Sequence, residues 1–264
     1  GRGDTKATKP LATWAFSSMM LLWLFKASHV QHEYEFGLLM IGIRNAAGYT
    51  LLVMTMYFAF EPLARKGCPE LLVSWTRMLR ARSEDRLVGR DILVGCLFGV
   101  IYGLLRDLSG SFGVFAPRSL VLHSLGGLDA MVLGTMESVR DGLIISIFGL
   151  VAYLLILSSV RSKSLAVVFF GAILSVLELL ANDAVPLGWC IAVLLGFGQA
   201  CFFARVGLLA ALVGLTVIEM LRHPITSDTE AFYYPGSLTM LVLIAAIALY
   251  GYRVAAPYPR SPSV

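Results

Sequence analysis

Apolar residues in this chain gather in long runs rather than alternating with polar ones. A run of about 17–25 apolar residues is what an α-helix needs to cross a bilayer. The runs are Leu11–Val30, Phe36–Phe60, Asp91–Leu105, Asp141–Val160, Leu165–Ala181, Pro186–Ala204, Val206–Leu221 and Ser237–Val254. The third is short and is expected to extend through Asp107. Only Arg205 separates the sixth from the seventh, which predicts a tight hairpin or one broken element. The pattern therefore predicts an all-α fold, a polytopic transmembrane helix bundle of about eight spans. It divides the chain into a linker at 1–10, a transmembrane domain at 11–254 and a tail at 255–264.

The side of each loop follows from lysine and arginine, which stay cytoplasmic near span ends. Arg65, Lys66, Arg77, Arg80, Arg82, Arg86 and Arg90 fall in 61–90, and Arg161 and Lys163 in the turn after the fourth run. The intervening segments 31–35, 106–140, 182–185 and 222–236 carry more acids than bases. Both termini are therefore expected in the cytoplasm, and the partner of most of the surface is the lipid bilayer. The long segment 106–140 is apolar enough to fold back on the bundle, with a turn at Ser124–Leu128. Phe232, Tyr233 and Tyr234 suit the water–lipid boundary before the last run.

Pro69 suits the first turn of a helix, where a missing N–H costs nothing. After it Leu71, Leu72, Trp75, Met78 and Leu79 recur on one face, with Arg77, Arg80 and Arg82 on the others. This predicts an amphipathic helix at 69–82 lying in the membrane interface, Trp75 toward lipid and the arginines toward headgroups. Each cation near an anionic leaflet contributes about 1 kcal/mol. The competing reading is a solvated basic loop that only fixes topology. Gly95, Gly99 and Gly103 recur every fourth residue, a close-packing face for a neighbouring helix. Gly207 with Ala211 is a weaker version of it.

Composition agrees with the pattern: 58% of the 264 residues are apolar and only 14% charged, with a mean hydropathy of +0.78. The net charge of +4 is small and lies on no folded polar domain, so nucleic acid is not an expected partner. The cysteines Cys68, Cys96, Cys190 and Cys201 form no C-x-x-C and no short disulfide framework. The first run lacks a signal-peptide cleavage site and is expected to be retained. The start at Gly1 suggests a longer product, and Arg2-Gly3-Asp4 reads as part of a basic linker rather than an adhesion motif.

Charged residues within spans mark functional candidates. Lys26, Arg44 beside Asn45, Glu178 and Glu219 all fall in the outer half of their runs, Arg44 about 12 Å down at 1.5 Å per residue. Two cations and two anions could form an outward-facing polar pocket for a small ligand. The alternative is that the three nearer the ends snorkel to the surface. His29 and His32, three apart, could touch one metal, haem or pigment, or could serve as interfacial polar residues. No cofactor is expected. Zinc, phosphate-loop, nucleophile-elbow and kinase motifs are all missing from the sequence, so no enzymatic activity is expected. Met136-Glu137-Ser138-Val139-Arg140 resembles the glutamate motif of intramembrane prenyl-endopeptidase-like proteins but lacks its second glutamate and its histidine partner.

An ordered set of segments carries a family likeness: Gly1–Asp4, Phe58-Ala59-Phe60-Glu61-Pro62, Ser74-Trp75-Thr76-Arg77-Met78-Leu79, Leu87-Val88-Gly89-Arg90-Asp91, His223–Asp228 and Tyr250-Gly251-Tyr252. Together they resemble the C-terminal multi-pass membrane region of bacterial serine/threonine protein kinases of the acidobacterial type. Ser83–Arg86 and Tyr233-Tyr234-Pro235 depart from that pattern, as in a diverged member. The resemblance implies a kinase domain before the first span on the cytoplasmic side, residence in the bacterial inner membrane, and a role in anchoring that can extend to transmitting a signal. It carries over no catalytic residue. Two other classes fit the oily packing faces: an accessory subunit of a larger energy-converting membrane complex, and, ranked last, a small-solute transporter, which would show paired interrupted spans.

Overall fold

A computed structural model describes residues 5–27, 34–80, 84–114, 128–181, 186–226 and 228–256. The described chain is helical without a strand: α1 (Thr5–Lys26), α2 (Tyr34–Gly67), a 3-10 turn (Pro69–Leu72), α3 (Val73–Leu79), α4 (Arg86–Ser111), α5 (Leu128–Val160), α6 (Lys163–Ala181), α7 (Pro186–Arg205), α8 (Leu208–Met220) and α9 (Tyr234–Ala255). Six of these are long and apolar enough to cross a membrane: α2, α4, α5, α6, α7 and α9. α1 has 22 residues, but its apolar stretch is diluted by Ser17, Ser18, Trp14 and Trp23. α8 has 13 residues, about 20 Å at 1.5 Å each, against a hydrocarbon core of about 30 Å.

α8 is the centre of the bundle. Leu208, Leu209, Ala210, Ala211 and Val217 are all at most 1% exposed. A helix apolar all round is a buried helix. The glycine row of α4 lies against it: a Cβ on Gly95 would sit 2.6 Å from the Ala210 carbonyl oxygen, and one on Gly99 2.6 Å from that of Gly214. Gly103 meets Leu221, so α4 and α8 run parallel. α5 runs antiparallel to α8 on the other side, Gly142 against Thr216 and Gly134 against His223. Around this trio α9 packs on α4, α6 with α7 forms a hairpin, and α1 with α2 leans on α5.

Two sequence expectations change here. The 186–221 region is neither a tight hairpin nor one broken helix. α7 packs on α6, whereas α8 packs on α4 and α5, and Val206–Gly207 joins them. The described residues of the outer segment 106–140 are also largely helical, because α4 runs to Ser111 and α5 starts at Leu128 rather than Asp141. Met131 continues the buried face of α5, and Glu137, Arg140 and Asp141 stay in the helix because each finds an opposite charge. Gly113, in the left-handed region at φ 66°, ends α4 as such glycines do. The turn expected at Ser124–Leu128 lies mostly outside the described residues.

The segment expected at the lipid interface also behaves differently. It is a 3-10 turn followed by α3, and its apolar stripe faces protein. Leu71, Leu72 and Trp75 are between 1% and 4% exposed within the bundle. The cause is the short α8: a Cβ on its N-cap Gly207 would lie 2.8 Å from the Leu71 carbonyl oxygen, so Pro69–Leu79 fills the space below its first turn.

Candidate functional site

One end of the bundle gathers the end of α2, the Pro69–Leu79 plug, the start of α4, the α5–α6 and α7–α8 turns and the end of α9. Lys163 Nζ reaches Glu70 Oε1 at 3.3 Å, and Gly89 abuts the Gly251 and Ala255 backbones. Arg65, Lys66, Arg77, Arg80, Arg86 and Arg90 lie here, so this is the basic end. Its buried centre is Asp91, 4% exposed, which accepts a hydrogen bond from the equally buried Ser74 hydroxyl. Arg90 donates to the other carboxylate oxygen from Nε at 3.2 Å and Nη at 3.0 Å. Both Asp91 oxygens are thus bound, as a carboxylate out of water requires. The pair ties α3 to the second turn of α4.

Asp85 does two things beside it. Its Oδ1 caps α4 by accepting from the Leu87 N–H at 2.9 Å, and its Oδ2 pairs with Arg77 at 2.6 Å. Arg77, Arg80, Thr76 and Val73 line an open cavity of about 380 Å³ on the outward side of α3. Arg65 pairs with the buried Glu61 one turn back at 2.6 Å. Burial pushes the Cys68 thiol up from its ordinary value, against the pull of Lys163, so it stays protonated at neutral pH. Arg82 lies outside the described residues.

The four intramembrane charges do not meet. Lys26 pairs with Glu137 of α5 at 3.0 Å. Glu178 accepts from Arg106 at 2.5 Å and from the Tyr102 hydroxyl, both on α4. Glu219 takes Arg222 of the following turn at 2.7 Å. Arg44 lies on the exposed face of α2, with no ion pair or hydrogen bond among the described residues. Among the described residues the four therefore share no pocket: Lys26, Glu178 and Glu219 each have another partner, and Arg44 lies on the exposed side of α2. His29 and His32 lie outside the described residues.

Sequence reading missed the Ser74–Asp91 pair and the Tyr102–Arg106–Glu178 group. Tyr102 and Arg106, four apart on a helix, share a face, which was the available signal. His223, 4% exposed, lies 3.3 Å from the Ser138 hydroxyl, which donates to the Gly134 carbonyl. Among the described residues no group of three His, Cys, Asp or Glu is arranged to hold a metal ion.

The fold defines the class, a multi-pass helical membrane protein. No family model matches the chain, and neither a curated protein nor a solved structure matches it.

Proposed function

We propose that this chain is a non-catalytic membrane domain that anchors a cytoplasmic kinase-like module and passes changes in the bundle to it. One observation carries the reading: the Pro69–Leu79 plug is clamped to α4 by buried Ser74–Asp91, abuts the first turn of α8 and turns Arg77 and Arg80 outward. A shift between α4 and α8 would therefore move a charged surface. The excess of cations at that end supports a cytoplasmic placement, and in this reading the membrane is a bacterial inner one. In this reading α1 and α8 also cross, giving eight spans with both termini inside. α8 crosses within protein, with the plug making up its missing length.

The test uses the longer protein reconstituted in vesicles. Ser74→Ala and Asp91→Asn should change kinase output by several-fold with insertion intact. Unchanged output, both in these variants and after exchange of all the helices for an unrelated anchor, rules out signalling. A second reading, an accessory subunit of a larger membrane complex, is favoured by the outward-facing Arg44. Stoichiometric co-purification with unrelated subunits at a native size distinguishes it.

A further inference from the structure

We infer that the exposed face of α2 around Arg44 is a helix-docking surface whose occupant is a transmembrane helix of another protein carrying an aspartate or glutamate at the same depth. The inference stands whether the chain anchors a kinase or serves a larger complex.

Arg44 lies ten residues after Tyr34, about 15 Å along α2. Apolar residues precede and follow it, Phe36–Ile43 on one side and Ala46–Phe60 on the other. A charge at such a depth normally faces the bundle interior and pairs. Here the other three charges singled out within the runs each have a counter-ion: Lys26 with Glu137, Glu178 with Arg106, Glu219 with Arg222. Arg44 is exposed and, among the described residues, has none.

Its neighbours argue against simple snorkelling to the headgroups. Asn45 is exposed as well, its side chain is too short to reach water, and an amide in hydrocarbon needs a partner. Gly37 and Gly48 lie on the same side of the helix, at helical spacing from Ile41 and Arg44. A Cβ on either would meet nothing within 4 Å, in contrast to Gly95 and Gly99 of α4, which lie against α8. Glycine flanking a polar pair is the surface that lets a second backbone come close enough to hydrogen-bond. Charge decides the occupant. Across a two-fold axis a second copy would set Arg44 against Arg44, a like-charge contact. A guanidinium is matched by a carboxylate, which it can bind through two parallel hydrogen bonds. The partner is therefore a different chain with an intramembrane acid.

The test places a photoreactive phenylalanine at Gly48 of the full protein in its native membranes, with Leu177 on the exposed face of α6 as the control position. The expected result is an adduct at position 48, not at 177, with an integral membrane protein that has Asp or Glu inside a span. Its yield should fall at least tenfold in Arg44→Leu and Arg44→Gln, persist in Arg44→Lys, and fall in the same way when the partner's acid becomes its amide. Gel-filtration profiles check that the variants stay folded. Adducts with lipid alone, with a second copy of the chain, or with a protein lacking an intramembrane acid overturn the inference. So does a yield that ignores the loss of the arginine charge.

Discussion

At the scale of single residues, charges here are settled locally and in pairs. Asp91 is tolerated because Ser74 and Arg90 take its two oxygens. Removing a partner from a buried acceptor costs about 1–3 kcal/mol. Ser74→Ala should therefore lower the thermal midpoint in detergent by several degrees. Arg90→Ala should cost less, because the Arg90 side chain is 65% exposed and screened by water. Equal losses in the two variants would mean that burial of Asp91 is not what the serine relieves. Cys68 offers a second check. Only the thiolate attacks an alkylating reagent, and burial holds the Cys68 pKa above that of a free thiol. With Cys190 and Cys201 replaced by serine, maleimide should label Cys68 at pH 7 far more slowly than a cysteine at exposed position 84. The Cys68 rate should climb only at a pH above that at which an exposed thiol has already ionised.

Elements were legible to different degrees. Most helices could be read from apolar run length alone, because a bilayer leaves the backbone few other ways to satisfy its hydrogen bonds. What the runs could not tell is which side of a helix meets lipid and which meets protein, since both sides are greasy. The stripe of Leu71, Leu72 and Trp75 fits a headgroup interface and a protein plug equally well, and only the shortness of α8 decides. The same ambiguity hid the start of α5: Glu137, Arg140 and Asp141 look like loop charges until Lys26, 111 residues away, is seen to neutralise the first. The glycine row of α4 was the exception, because four-residue spacing states a helix contact directly. Its energetics can be tested within one helix. Gly99→Ala would set a methyl 2.6 Å from the Gly214 carbonyl oxygen and 2.7 Å from the Val217 Cβ, so backbone would have to move. Overpacking of this kind costs about 1–3 kcal/mol. Gly110→Ala, in the same helix with nothing within 4 Å, should be neutral or gain up to about 1 kcal/mol in helix propensity. Denaturant unfolding in one detergent compares the two, and equal effects would mean that α4 and α8 are not in backbone contact.

For the whole molecule, the two ends of the bundle differ in charge. The basic end holds Arg65, Lys66, Arg77, Arg80, Arg86, Arg90, Arg161, Lys163, Arg205 and Arg253, with Glu61, Glu70, Glu84, Asp85 and Asp91 among them. The opposite end holds Lys26, Arg106, Arg140 and Arg222 against Glu35, Asp107, Glu137, Asp141, Glu178, Glu219, Asp228 and Glu230. Sequence reading reached this asymmetry by counting loops, and the packing reaches it independently, because the cationic segments touch one another at a single end. Lysine and arginine resist translocation, which is why the proposed function puts the basic end in the cytoplasm. Two cysteines in an otherwise cysteine-free chain decide the matter. A cysteine at Glu84, exposed at the basic end, should resist a membrane-impermeant thiol reagent in intact cells and react after permeabilisation. A cysteine at Phe232, 75% exposed at the opposite end, should react in intact cells. The reverse pattern would place the basic face outside, where no cytoplasmic module could read it. Labelling of both positions in intact cells would mean that the helices between them do not carry the chain across as the packing requires.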